Sequence, residues 1–65
     1  DKTKAFEWYL KAADNEDADA MYKVAECYFN GNGVTQDKKT AYEWYLKSAN
    51  NGNEEALNIV NKWNK

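Results

Sequence analysis

The feature of this sequence that most constrains its fold is an internal repeat. Residues 1–13, DKTKAFEWYLKAA, align with residues 37–49, DKKTAYEWYLKSA, and nine of the thirteen positions are identical. The offset is 36 residues (37 − 1), and the similarity continues more weakly as far as Val24 and Val60. A fixed period in this range predicts a solenoid, in which each unit buries its apolar face against the next unit.

Each period carries the pattern of two helices joined by a tight turn. From about Asp17 to Asn30, apolar residues recur at helical spacing. Gly31 can take the left-handed conformation that ends a helix, and Gly33 in the following turn is expected to need a positive φ. Asp37 is a good N-cap for the second helix, because its carboxylate lies near unpaired amide donors. We call these the first-type and the second-type helix of a unit.

The second-type helix is expected to bury one stripe of side chains and to stop at residues 50–52. Asn53 then caps another first-type helix, and Glu54 and Glu55 suit its first turn because they oppose the helix dipole. The prediction is therefore an all-α chain of about four helices, arranged as a partial unit at 1–14, a complete pair at 15–50, and a partial unit or capping helix at 51–65. The expected stripe consists of Ala41, Trp44, Tyr45, Ser48 and Ala49.

Charge and composition argue against several classes of function. The chain has nine lysines, eleven acidic residues and no histidine, with a formal net charge of −2. A nucleic-acid surface needs clustered positive charge to neutralise phosphates, and no such cluster is present. No apolar run approaches the roughly 20 residues of a membrane-spanning helix. We therefore expect neither nucleic-acid binding nor membrane insertion, and the sequence predicts no compartment.

Catalytic and ligand-binding chemistry is poorly supported as well. Without histidine, the commonest general base near neutral pH is missing. The single cysteine, Cys27, lies on the apolar stripe and is expected to be an inert packing residue. One cysteine with scattered carboxylates makes no metal site. We therefore expect a protein that is not an enzyme and that binds no metal or cofactor.

Two motifs suggest ligand binding at first, but a purely structural role explains each of them better. The Gly-Asn-Gly segment at 31–33 lacks the lysine and hydroxyl of a phosphate loop, and a helix precedes it where a strand is required. The pairs Trp8-Tyr9 and Trp44-Tyr45 occupy the same place in two units. Because a stacking core needs the same filler in every repeat, both pairs are expected to be core residues rather than ligand platforms.

Two adjoining segments resemble Sel1-like repeats, a tetratricopeptide-related family of α-helical solenoids. They are AMYKVAECYFNGNGVTQD at 20–37 and KKTAYEWYLKSANNG at 38–52. The period of 36 residues fits this family better than the 34 of tetratricopeptide repeats. Ala25 and Glu16 depart from the family pattern, since each stands where a glycine is usual. The resemblance implies an α/α superhelix of antiparallel helix pairs and an adaptor or scaffold role with protein partners.

One side of the first-type helix is the candidate binding surface. Tyr22, Glu26 and Phe29 lie away from the main apolar stripe, and the first helix of a two-helix solenoid generally lines the concave side. The aligned positions in the next unit are polar, so stacking does not require aromatic residues there. The sequence leaves open whether Tyr22 and Phe29 are groove anchors or packing residues. The candidate partner-binding residues are Tyr22, Lys23, Glu26, Phe29, Asn30, Asn58 and Lys62.

Three functions are compatible with this pattern. The leading hypothesis is a protein–protein interaction module that holds a peptide or helix along its concave side. The second is self-association into a homo-oligomer through the end helices, whose stacking surfaces would be uncovered. The third is a regulatory repeat region of a larger protein that contains an enzyme.

Overall fold

The computed structural model describes residues 1–63, which form four α-helices and no strand. Helix α1 spans Lys2–Asp14, α2 spans Ala18–Asn30, α3 spans Lys38–Asn50 and α4 spans Glu54–Trp63. Short loops join successive helices, which therefore pack as antiparallel neighbours. The predicted all-α class is confirmed. Residues 64–65, at the end of the predicted last unit, lie outside the described residues.

The capping residues expected from the sequence set the helix ends. Asp17 and Asp37 accept hydrogen bonds from backbone amides in the first turns of α2 and α3, at 3.0 and 3.1 Å respectively. Gly31 ends α2 in the left-handed conformation, with φ 72° and ψ 36°. Asn53 accepts a hydrogen bond of 2.8 Å from the amide of Ala56 in α4. These local interactions satisfy amides that helix ends otherwise leave unpaired.

The turn between α2 and α3 also packs closely against the start of α1. Gly33 has a φ of 77°, as expected. A β-carbon at this position would overlap the carbonyl oxygen of Lys2, at the start of α1. The side-chain amide of Gln36 donates a hydrogen bond of 2.8 Å to the carbonyl of Phe29, which closes the turn against α2. Only glycine therefore lets this turn approach α1 so closely.

The core consists of two hydrophobic clusters that follow one another along the chain. Tyr28 and Trp44 pack against both of them. Each helix packs mainly against its neighbours in the chain, which is the contact pattern of a solenoid. The first cluster, on α1 and α2, contains Phe6, Ala13, Ala20, Met21, Val24 and Cys27. The second cluster, on α2, α3 and α4, contains Ala25, Ala41, Tyr45, Ala56 and Val60.

The stripe predicted for α3 is present, with one polar member in the core. Ala41, Tyr45 and Ser48 are buried, and Trp44 and Ala49 are partly buried. The hydroxyl of Ser48 donates a hydrogen bond of 2.7 Å to the carbonyl oxygen of residue 18, at the start of α2. Burying the hydroxyl is tolerated because it is paired in this way.

The expectation that both Trp-Tyr pairs fill the core is wrong for Trp8. Trp8 is 68% exposed, whereas Trp44 is partly buried. The two residues lie at equivalent positions of their units, and Trp44 packs against the first cluster on the preceding helices. No helix within residues 1–63 occupies the corresponding place beside α1. Trp8 therefore has a stacking position without a stacking partner in this part of the chain.

Candidate partner-binding surface

Helices α2 and α4 lie side by side and run in the same direction. Near their N-terminal ends, the side-chain amide of Asn53 donates a hydrogen bond of 3.1 Å to the carboxylate of Asp19. Near their C-terminal ends, the rings of Phe29 and Trp63 stack with their centroids 5.8 Å apart. The two first-type helices are therefore in contact near both of their ends.

Three of the predicted partner-binding residues form a stripe along α2. Lys23 and Asn30 are exposed and Glu26 is partly exposed, and their spacing places them on one side of the helix. Lys23 Nζ lies 3.5 Å from Glu26 Oε1. This ion pair is open to solvent, so its contribution to stability is small. The same three residues border a shallow depression that is also lined by Tyr9, Cys27 and Asn32.

Tyr22 forms the floor of this surface rather than an anchor projecting from it. The ring is partly buried and meets the ring of Tyr45 edge-on, with centroids 5.6 Å apart. The carboxylate of Glu55 in α4 lies near its hydroxyl. Burial raises the pKa of Tyr22, and the neighbouring carboxylates of Glu26 and Glu55 raise it further. The raised pKa keeps the Tyr22 hydroxyl protonated to a higher pH than that of an ordinary tyrosine.

Phe29 belongs to an aromatic cluster that joins α2, α3 and α4. Its ring stacks on Trp63, which also stacks on Tyr42 at 5.3 Å and meets Tyr45 edge-on at 5.5 Å. The ammonium group of Lys38 lies 5.4 Å from the Phe29 ring centroid. Phe29 and Tyr22 thus both contact neighbouring helices, as in the packing alternative, and their contact with a partner stays a prediction.

The predicted contacts on α4 are exposed, but they do not all lie beside α2. Asn58 aligns with Tyr22 (58 − 36), whose ring in the earlier unit is turned towards α3. Asn58 therefore lies on the outer side of α4, and Lys62 lies at its margin. Sequence analysis missed Glu55, which lies near Tyr22, and Ile59, which packs against the second cluster. The repeat offset gave no signal for them, because they align with the exposed residues Asp19 and Lys23 of α2.

Comparison with protein-family models gives the relationship of most of the chain. The Sel1 repeat model matches residues 1–17 and 18–53. The chain belongs to the Sel1 repeat family. The second match spans 36 residues (53 − 18 + 1), which equals the internal offset. No characterised protein and no solved structure matched in the same comparisons. Sel1 repeats generally mediate protein–protein interactions and are typically non-catalytic.

Burial raises the pKa of two side chains in the core of this Sel1 repeat. Burial raises the pKa of Tyr45 to about 12, with nearby Glu26 as a lesser cause. Burial likewise raises the pKa of the Cys27 thiol, which lowers the fraction present as the nucleophilic thiolate. Within residues 1–63, no three side chains of the metal-binding types are grouped to hold an ion. In the same range, none of the helices has the length and hydropathy required to cross a bilayer.

Proposed function

We propose that this Sel1 repeat is an adaptor module that binds a peptide or helix of another protein across α2 and α4. The observation that carries the proposal is the stripe formed by Lys23, Glu26 and Asn30. These side chains face solvent on a helix whose other sides are packed against α1 and α3. Membership of a family that generally mediates protein–protein interactions supports the same conclusion.

The stripe suits a partner with polar and charged groups at matching spacing. Lys23 offers a cation, Glu26 a carboxylate and Asn30 an amide that both donates and accepts. The existing Lys23–Glu26 pair is solvent-exposed, so exchanging it for contacts with a partner costs little. Tyr22 and Phe29 support the surface from below through their contacts with α3 and α4. Affinity would come from many modest contacts rather than from one deep pocket.

Site-specific photo-crosslinking tests the proposal directly. A photoreactive amino acid replaces Asn30 in one variant and Glu43 in the other, and both positions are exposed. Each variant is irradiated in lysate of the source cells after circular dichroism has confirmed its helical content. We expect a crosslinked partner from position 30 and none from position 43, which lies on α3. The same products from both positions would contradict the proposed surface.

Exchanging the charges of Lys23 and Glu26 tests whether the stripe itself determines binding. Lys23→Glu/Glu26→Lys preserves the ion pair and the net charge but reverses the order of charge along α2. Lys39→Glu/Glu43→Lys is the matched control, because it makes the same kind of exchange between exposed residues of α3. With the crosslinked partner purified, calorimetric titration should show at least about tenfold weaker binding for the α2 exchange alone. Equal affinities for both variants would refute a role for the stripe.

Self-association is a second candidate, and one observation favours it. The exposed large hydrophobic side chains among residues 1–63 lie at the two ends of the helix array. Trp8 is at one end, and Leu57 and Trp63 are at the other. Light scattering over a wide concentration range tests this candidate, and a constant monomer mass would contradict it. Regulation of an enzyme elsewhere in a longer protein stays a prediction.

A further inference from the structure

Three pairs of asparagine followed by glycine lie at the helix joints of this chain. In such a pair, the backbone nitrogen of the glycine can attack the side-chain carbonyl carbon of the asparagine, because glycine has no side chain to hinder the approach. The three pairs share this local chemistry, so their surroundings decide which of them reacts. They are Asn30-Gly31 and Asn32-Gly33 between α2 and α3, and Asn51-Gly52 between α3 and α4.

The reaction is a deamidation, and its only co-reactant is water. The backbone N–H of the glycine loses its proton, and the nitrogen forms a bond to Cγ of the asparagine. The bond from Cγ to the side-chain nitrogen breaks, and ammonia leaves with a proton from the solvent. Water then opens the five-membered succinimide ring at one of its two carbonyl carbons, which gives either aspartate or isoaspartate. Nothing is oxidised or reduced in these steps.

Hydrogen bonds oppose this attack in two of the three pairs. The Gly31 amide donates to a carbonyl oxygen in the last turn of α2. The Gly52 amide donates to the carbonyl oxygen of Ala49 at 3.1 Å. The side chain of Asn51 is held as well, because its amide group donates to the carbonyl oxygen of Lys47 at 2.8 Å. In both pairs, a hydrogen bond must break before the glycine nitrogen can react.

The Asn32-Gly33 pair has both of its reacting groups available. Among the hydrogen bonds of residues 1–63, none involves the backbone amide of Gly33 or the side chain of Asn32. The side chain of Asn32 is exposed, so water and hydroxide reach it. The backbone amide of Asn32 donates to the carbonyl oxygen of Cys27 at 2.9 Å. This bond anchors the residue to α2 but does not involve the atoms that react.

We propose that Asn32 is a site of spontaneous deamidation in the folded chain, and that Asn30 and Asn51 react far more slowly. This order follows from the hydrogen bonds, because glycine follows all three asparagines in the sequence. The product is a permanent carboxylate at the turn between α2 and α3. The proposal does not depend on whether the chain binds a partner.

The modification places a negative charge beside the stripe on α2. Asn32 lines the same depression as Lys23 and Glu26. Conversion to either acid changes the formal net charge of the chain from −2 to −3 (−2 − 1). Isoaspartate also lengthens the backbone by one carbon atom, in a turn that packs closely against Lys2. An effect on partner binding rests on the proposed function, whereas the modification itself does not.

Peptide mapping of the aged, full chain tests the proposal. The chain is kept in warm, slightly alkaline buffer, in which circular dichroism confirms that it stays folded. Samples taken over time are digested with trypsin under mildly acidic conditions, which suppress further reaction. Mass spectrometry with electron-transfer fragmentation locates each converted asparagine and separates aspartate from isoaspartate. We expect conversion at Asn32 to be at least about fivefold faster than at Asn30 or Asn51, the factor that corresponds to one hydrogen bond of average strength.

The matched control is the same chain unfolded in guanidinium chloride, which keeps the three pairs and removes their hydrogen bonds. There we expect the three asparagines to react at similar rates. Similar rates in the folded chain, or a faster reaction at Asn30 or Asn51, would overturn the proposal.

Two variants check the assignment on the intact chain by ion-exchange chromatography. The first acidic product to form should be missing in Asn32→Ser and should persist in Asn51→Ser. Its persistence in Asn32→Ser would also overturn the proposal.

Discussion

The buried hydroxyl of Ser48 provides a measure of how strongly the two helices of the complete unit, α2 and α3, are joined. Its side chain is completely buried, and its hydrogen bond to the Ala18 carbonyl is 2.7 Å long. In Ser48→Ala that carbonyl keeps its helical amide donor, so no polar atom is orphaned, and the change in volume is small. The net contribution of such a hydrogen bond is about 1 kcal/mol. We therefore expect the free energy of unfolding to fall by about 1 kcal/mol.

Thermal and urea unfolding followed by circular dichroism measures this change. For a domain of this size, a loss of about 1 kcal/mol corresponds to a melting temperature lower by about 4–8 °C. The matched control is Ala12→Ser, at the equivalent position of α1, where no preceding helix supplies a carbonyl within residues 1–63. We expect no gain in stability there. A loss below about 0.3 kcal/mol for Ser48→Ala, within the range of ordinary surface changes, would refute the reasoning.

Further predictions concern a turn, the aromatic cluster and a buried phenol. Gly33→Ala should lower the free energy of unfolding in urea clearly more than Gly52→Ala does. Both glycines have a positive φ, but only a β-carbon at Gly33 would meet backbone atoms. Equal losses of unfolding free energy in the two variants would contradict this. Trp63→Ala should lower the free energy of unfolding by about 1–2 kcal/mol, because its ring contacts are lost. The near-ultraviolet circular dichroism should also become weaker. An unchanged urea midpoint would contradict this prediction. The pKa of Tyr45 is about 12 in the folded chain against 10.0 ordinarily. The unfolded state therefore loses this proton first, and stability present below pH 10 declines between about pH 10 and 12. In Tyr45→Phe this decline should be shallower, and an identical pH profile would exclude Tyr45 as its source.

The helix boundaries were predictable because they depend on neighbours in the chain. Gly31, Asp37 and Asn53 act on atoms a few residues away, and each takes its expected role. Glu16 is informative in the same way. It stands at the position of Gly52 and adopts a φ of 64°, so the joint keeps its conformation even without glycine. Local geometry and the repeat offset together therefore predicted the number of helices and the positions of their joints.

The surroundings of individual side chains were less predictable, because they depend on distant helices. Trp8 and Trp44 have the same local sequence, EWYLK, yet differ in burial. Sequence shows that such a position faces a neighbouring helix, but not whether that helix is present. Trp63 aligns with Cys27, so the repeat pattern gave no reason to expect its contact with Phe29. Because of that contact, the ring of Phe29 is packed against α4 and does not project as an anchor.

The two clusters of the core share only two side chains among the described residues, Tyr28 and Trp44. In a solenoid, cooperativity depends on the coupling free energy between neighbouring units. Much of the side-chain coupling between the two halves therefore passes through one phenol and one indole. Weakening either contact would lower the free energy of partial unfolding. The amides of α4 could then exchange with solvent while α1 and α2 stay folded. Tyr28 and Trp44 thus help decide whether this short array unfolds as one cooperative unit or as two.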